Sequence, residues 1–514
     1  MRLEERKFPA QSRRNILRKK AFRRSDLARQ ASLSSPPTRR IASNFAILGT
    51  AEVMCRGISV LLTISLYHRL GPAGFGRIEF AFNLVFWLVL IVRDCFETIV
   101  TREIARHPRI TRGFVNHVLA VKLTLAVALS GLLVIVGRFG FQNAVDGRIL
   151  SLYGLLLLST ALGLDFVFRA TESVGLVAIS LVMRTSIYCL GVWFLVSDAS
   201  RILLVPAFLA VGEFCGIALV WAVYAARFGV PQLKLGGRFS LVLLDRGRAV
   251  GLIHLCQAIL VSVDLLVVGV MNGWTDVGRY GGPHRMISAV MAFGLIFQQV
   301  VFPALSRSWR TSTEEGKRLF DLSVRVLMTG FIPVAIGGSL LAEPLVRFLF
   351  PSDYKHSILL LGIGIWRAPL LCLAFLYQSS LIAMNRESAG LRLLSWGAIA
   401  AAPLAVLLQW SFGLIGASVS VLIVAMGLVS AGYLGLAKEG RAPAFHHHVG
   451  LPLIASLGMI PVCLWAVRIH VVLAVGVGGV MYLFLLNGLG GLNFRLKELG
   501  TTNVKNDSRG QVTR

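Results

Sequence analysis

Charged side chains stand in the middle of long apolar stretches of this chain, and arginine recurs among them. Glu52, Arg56, Ser59, Thr63 and Tyr67 fall within about a quarter-turn of one another on a helical wheel, a polar stripe on an otherwise apolar helix. Glu79, Asn83 and Arg93 share a second face, and Arg285, Ser288 and Gln299 a third. Arg367 comes just before Ala368-Pro369, with Tyr377 and Gln378 on its side. Lys122, Arg184, Glu213 and Asp264 occur singly, and His254 shares a helix with Asp264. An ionisable group at bilayer depth is costly, and it faces protein or water there. A guanidinium presents a planar fork of donors that fits phosphate oxygens in pairs. Arg56, Arg285 and Arg367, with Arg184 beside them, are therefore candidates to line a wet chamber and hold a pyrophosphate. A chamber for a cationic drug would concentrate Asp and Glu instead.

Each of these residues also has a purely structural use. Glu52 and Arg56 stand at i, i+4 and can neutralise each other, as can Asp165 and Arg169. Arg93, Asp94 and Arg325 suit a membrane interface, where long side chains snorkel. Asp264 can serve packing, as a partner for His254. For Arg285 and Arg367, no acid stands at helical spacing.

The elements that must position these groups are apolar segments of membrane-spanning length. The 514 residues are 55% hydrophobic, with a mean hydropathy of +0.72. A helix needs about 20 apolar residues to cross the hydrocarbon core, and the pattern yields about fourteen such stretches. The expected fold is an all-α polytopic membrane protein with two pseudo-symmetric six-helix lobes and a C-terminal helix pair. The expected divisions are a basic tail over 1–40, a lobe over 41–224, a basic linker over 225–249, a lobe over 250–437, and the final pair with a tail over 438–514. Room for a soluble catalytic domain is lacking, and the chain shows no DxD pair, nucleotide-cradling glycine loop or His/Cys metal spacing. An enzyme is not expected, nor a metal or cofactor.

A net charge of +27 would suggest nucleic acid in a soluble chain. Here thirteen Lys and Arg lie in the first forty residues, and most others fall in alternate loops. By the positive-inside rule the N-terminus is cytoplasmic, and that side collects roughly four times as many Lys and Arg as the other. The C-terminus is then cytoplasmic too. Arg13 to Leu33 reads either as a basic helix on anionic lipid or as a disordered positive-inside tail. The seven cysteines lie in or at the ends of spans and read as small buried hydrophobes, and His446-His447-His448 as a solvated loop.

Two echoes relate the halves. Phe75-Gly76-Arg77-Ile78 after the first span matches Val277-Gly278-Arg279-Tyr280 after the seventh. Arg169-Ala170-Thr171-Glu172-Ser173 after the fourth matches Met384-Asn385-Arg386-Glu387-Ser388 after the tenth. Tandem halves with an even number of spans relate by an axis along the membrane normal, as in transporters built from parallel repeats. Pro206, Pro303, Pro333, Pro369 and Pro403 read as interruptions that kink helices or serve as hinges. Gly212 and Gly216 have the spacing of close helix packing.

The junction Leu70-Gly71-Pro72-Ala73-Gly74-Phe75-Gly76 resembles the LGPxxFG junction of oligosaccharide flippases. Asp264, then Val277-Gly278-Arg279-Tyr280 and Phe302-Pro303-Ala304-Leu305-Ser306, resemble that family's seventh and eighth helices. Gly413-Leu414-Ile415-Gly416-Ala417 resembles its turn into the twelfth. The resemblance, covering Asn44 to Ala437, is to the polysaccharide-biosynthesis branch of the multidrug/oligosaccharidyl-lipid/polysaccharide exporter superfamily. It implies an undecaprenyl-pyrophosphate-linked oligosaccharide as cargo, carried across the bacterial cytoplasmic membrane by alternating access. It also implies a proton or sodium gradient as drive, and a polysaccharide polymerase and chain-length regulator as possible partners. On that basis Tyr67, Asn83, Trp87 and Gln299 are candidates for sugar contact. Asp264, Glu52 and Glu213 are candidates for ion coupling. Rival expectations are a drug or cation antiporter, a peptidoglycan-precursor flippase and, less well matched, a membrane glycosyltransferase or polymerase.

Overall fold

Glycine and proline decide where the longest helices turn back. In the computed structural model, residues 37–106, 111–231, 237–350, 355–443 and 445–491 are described, so the basic tail before Pro37 and the tail after Gly491 lie outside the described residues. Helix α1 (Pro37–Arg106) and helix α13 (Glu387–Ala437) each contain an apolar run of 51 residues. At about 1.5 Å per residue such a run is about 77 Å long, against a hydrocarbon core of about 30 Å. Each must fold back, and each does so at one glycine: Gly71 with φ 66° in α1, and Gly413 with φ 62° in α13. Only glycine adopts such a conformation without strain. Pro72 then opens the returning helix, where its missing N–H costs nothing. We call the halves α1a and α1b, and α13a and α13b.

The remaining helices are α2 (Thr111–Phe139), α3 (Ala144–Leu162), α4 (Asp165–Ala170), α5 (Val174–Leu195), α6 (Leu204–Phe228) and α7 (Gly237–Met271). After them come α8 (Trp274–Thr311), α9 (Thr313–Leu340), α10 (Ala342–Leu349), α11 (Lys355–Gly364), α12 (Arg367–Ala383), α14 (Phe445–Ala466) and α15 (Val471–Gly488). Helices α3 and α4 form one crossing, as do α11 and α12. Among the described residues twelve helices are long and apolar enough to cross a membrane, and the two that fold back bring the crossings to fourteen. Six belong to the first lobe (α1a to α6), six to the second (α7 to α13b), and α14–α15 are the expected extra pair. The linker is shorter than 225–249, because α6 continues to Phe228 and α7 starts at Gly237.

Local signals end several helices as the residues dictate. Asn143 caps α3 by accepting from the Val145 N–H at 2.9 Å. Ser312 alone separates α8 from α9 and caps the latter through the Glu315 N–H at 3.1 Å, within a Ser-x-x-Glu motif. Pro206 and Pro369 stand in the first turns of α6 and α12, where they break no helical bond, so they are not the kinks expected. Pro303, Pro333 and Pro403 do lie inside helices. Outward faces carry Ile135, Trp396, Trp410 and Phe484 exposed, as a lipid-facing surface requires. All seven cysteines are free.

The first echo is the lobes' meeting point. A Cβ on Gly76 would stand 2.0 Å from the Trp274 carbonyl oxygen and 2.7 Å from the Gly278 nitrogen. One on Gly278 would stand 2.0 Å from the Pro72 carbonyl oxygen. The two matching glycines thus let α1b and α8 touch backbone to backbone at the face where Gly71 turns, here called the far face. At the near face, where Ile47 begins the first crossing, Gly247 and Gly251 of α7 approach Cys95 of α1b as closely. Helix α1b is therefore held by α8 at one end and α7 at the other. Replacing Gly278 with Ala should open the far-face seam. We expect a cysteine pair placed across it to lose its cross-linking while total protein remains.

In the second echo, each turn contains one left-handed residue, Glu172 (φ 56°) and Asn385 (φ 61°). The extra pair docks on α9: Tyr482 donates to the Thr329 carbonyl at 2.7 Å, and Met459 fills the space over Gly337.

Candidate functional site

A cavity of about 160 Å³ opens among α1a, α1b, α3, α5, α6 and α8. Its polar lining is Ser59, Thr63, Glu79, Tyr153, Arg184, Thr185, Tyr188, Glu213 and Arg285. Glu79 lies eight residues past Gly71, about 12 Å along its helix, so the cavity sits well inside the bilayer. Five of the six elements belong to the first lobe; Arg285 is supplied by the second. That volume is far less than an oligosaccharide needs. The polar stripe of α1a runs into it. Ser59 and Thr63 line the wall, while Arg56 and Glu52 continue the same face toward the near side, paired at 3.8 Å and 49% and 33% exposed.

The arginines are not the unpaired cations expected. Arg285 Nη1 meets Glu79 Oε1 at 3.3 Å, with the guanidinium over the Phe82 ring at 5.1 Å. Arg184 bridges Asp165 at 2.7 Å and Glu213 at 3.2 Å, and its Nε donates to Ser180 at 3.0 Å. Gly212 and Gly216 explain themselves here. A Cβ on the first would press on the Arg184 carbonyl at 2.6 Å, and one on the second on the Arg184 side chain at 2.4 Å. Around the cavity three carboxylates therefore answer two guanidiniums, and the cationic lumen expected is instead a charge-paired one. Sequence spacing could not find these pairs, because the partners come from different helices.

Arg367 is the clearest correction. It does not line the cavity; it lies 3% exposed in the second lobe, its Nη1 2.6 Å from Asp264 Oδ2. Tyr280 donates to the same carboxylate, and His284 Nδ1 lies 3.1 Å from Arg367 Nη2. The helix break between α11 and α12 sets Arg367 at this depth. Asp264, 0% exposed, is sealed in that cluster and away from the cavity. Its suggested partner His254 pairs instead with Asp94 at 3.4 Å, across the seam between lobes. Asp165 pairs with Arg184 rather than Arg169. Lys122 is fully buried, bonded to Glu97 at 2.9 Å and above the Phe166 ring.

Of the sugar-contact candidates, Tyr67 is packed between Phe75 and Phe350 in the core, not in the cavity. Asn83 stands behind Glu79 and donates to it at 3.2 Å. Trp87 donates to Ser262 of α7 at 2.9 Å and so belongs to the seam. Gln299 is exposed four turns along α8 from Arg285 and is outside the cavity lining. Glu213 lines the wall. Missed from sequence were Tyr153, Tyr188 and the role of Glu79. The echo could have found Glu79: Gly76 and Gly278 register the two helices, which brings Glu79 against Gly281 and close to Arg285.

The far face carries one further polar knot. Asp146 of α3 pairs with Arg77 at 3.2 Å and accepts from Trp274 Nε1 at 2.9 Å, tying both lobes beside the glycine contact. Near the opposite face His448 stands 3.5 Å from Asp321. No group of metal-ligating residues occurs among the described residues.

Two six-helix lobes, with a polar cavity in the first that a charged side chain of the second reaches, define a polytopic membrane protein of the parallel-repeat kind. Residues 41–309 match the family model described as polysaccharide biosynthesis protein, and the chain belongs to that family. The solved structures agree in fold. Lipid II flippase MurJ in an inward closed conformation superposes with a TM-score of 0.71 at 12% identity, over 86% of this chain and 98% of that one. An inward-facing multidrug resistance MATE family transporter of the MOP superfamily gives 0.61 at 12% identity, over 75% and 95%. A MOP superfamily transporter from Pyrococcus furiosus, described by the reversed polarity of its binding pocket, gives 0.56 at 11% identity, over 78% and 94%. No curated protein matches the chain.

Proposed function

We propose that this protein is a flippase that passes a polyprenyl-pyrophosphate-linked oligosaccharide across the bacterial cytoplasmic membrane for surface polysaccharide biosynthesis. The observation that carries the proposal is Arg285, which leaves the second lobe to reach the first lobe's cavity and is held there by a 3.3 Å ion pair to Glu79 and by the Phe82 ring. A phosphate binding at this point touches both lobes at once, so it can favour one arrangement of the lobes over another. The small cavity is then a contracted state that must widen for cargo, while the isoprenoid chain stays in lipid. Family membership supports a saccharide cargo, and the distribution of Lys and Arg supports a cytoplasmic near face.

A proton or sodium gradient drives the cycle in this proposal, through Glu213 in the cavity wall rather than the sealed Asp264. The basic tail meets anionic lipid, and the polysaccharide polymerase and chain-length regulator are the partners it would serve. Pyrophosphate recognition alone suits a peptidoglycan precursor equally, so sugar contacts decide between the two cargoes.

Three carboxylates against two guanidiniums favour a second reading, an ion-coupled antiporter of drugs or other cations. Proteoliposomes separate them. The proposal expects a fluorescent polyprenyl-pyrophosphate glycolipid to become accessible in the opposite leaflet at rates well above those of protein-free vesicles, with no transport of organic cations. Cation-for-proton exchange without glycolipid movement would establish the rival.

A further inference from the structure

We infer that an anionic headgroup enters the cavity only together with a proton, taken up by Glu79 as Arg285 leaves it for the phosphate. The inference rests on the flippase assignment above and adds the stoichiometry of its binding step. Both guanidiniums in the cavity wall are already committed to carboxylates, so a phosphate must compete for one. Arg184 is the poor choice, because releasing it strands two carboxylates, and Gly216 leaves room for it only where it stands. Arg285 makes one contact to one oxygen and rests on the Phe82 face, so it can turn without dismantling a network.

What it leaves behind decides the chemistry. Glu79 is 3% exposed. A buried carboxylate stripped of its cation is strongly unfavourable, and such a group takes a proton instead. The proton binds Oε1, the oxygen that Arg285 vacates, while Oε2 keeps the hydrogen bond from Asn83 at 3.2 Å. One proton comes from water, the carboxylate becomes a carboxylic acid, and Arg285 keeps its charge throughout. The titratable and charged groups that share the cavity with Glu79 are Arg285 of α8, Tyr153 of α3, Arg184 and Tyr188 of α5 and Glu213 of α6, with Asn83 on its own helix. The second lobe's pair, Asp264 with Arg367, is enclosed and lies outside this cavity's lining, so it takes no part.

Titration calorimetry of the full-length protein in lipid nanodiscs tests this, with farnesyl pyrophosphate as probe and buffers of different ionisation enthalpy. Wild type should take up about one proton per ligand, and its affinity should fall about tenfold per pH unit across the uptake range. Glu79→Gln should bind at least as tightly with no uptake and a flat pH profile. Binding by wild type without proton uptake, uptake of Na⁺ in its place, or unchanged uptake in Glu79→Gln would overturn the inference and leave the flippase assignment standing. No pyrophosphate binding between pH 5 and pH 9 would overturn both.

Discussion

Neutralising Arg285 should nearly abolish transport while leaving the protein in the membrane, provided Glu79 is neutralised with it. A charge-assisted hydrogen bond contributes about 1.5–3 kcal/mol, so the double variant Glu79→Gln/Arg285→Gln should transport about 10- to 150-fold more slowly. Arg285→Gln alone is a harsher change. It leaves Glu79 buried without its cation, and breaking a buried pair from one side costs about 3–5 kcal/mol. We expect that single variant to be depleted from membranes and the double variant to be present at wild-type levels. Surface-polymer export, normalised to membrane protein by immunoblot, separates the two effects. Full export by the double variant at normal protein levels would remove Arg285 from the cargo site.

The second lobe's cluster should behave in the opposite way, as a matter of folding. Arg367 and Asp264 are enclosed, with Tyr280 and His284 completing the set. Arg367→Met should destabilise the protein by about 3–5 kcal/mol, because Asp264 is then left enclosed without its partner. Asp264→Asn/Arg367→Met should recover most of that loss and retain transport. Thermal unfolding in detergent, read beside transport, checks both halves. A stable but inactive double variant would mean that the cluster serves transport directly.

The helical crossings and the two lobes were legible because hydrocarbon imposes a length and a composition on every span, whatever the partner helices do. The turns at Gly71 and Gly413 were legible too, since each glycine sits between apolar runs that cannot continue straight. The echo of Gly76 and Gly278 carried more than topology, as these two residues are where the lobes touch. Which charges meet was not legible. Arg285 and Glu79 are 206 positions apart, and Arg184 reaches Asp165 and Glu213 on two other helices. Pairing at helical spacing is a rule about one helix, and of the membrane-depth pairs suggested by it only Glu52 with Arg56 formed. Tyr67 and Arg367 were misplaced for a related reason: a stripe on a helical wheel shows a shared face but not what that face packs against.

Cargo charge is the claim on which the rest depends, and direct binding tests it most sharply. Nanodiscs holding the protein can be titrated with a polyprenyl-pyrophosphate glycolipid and with the same glycolipid lacking its phosphates. Binding of the charged form at least tenfold tighter, with the difference lost in Glu79→Gln/Arg285→Gln, is the predicted result. Equal affinity for the two forms, or a preference that survives loss of Arg285, would contradict it.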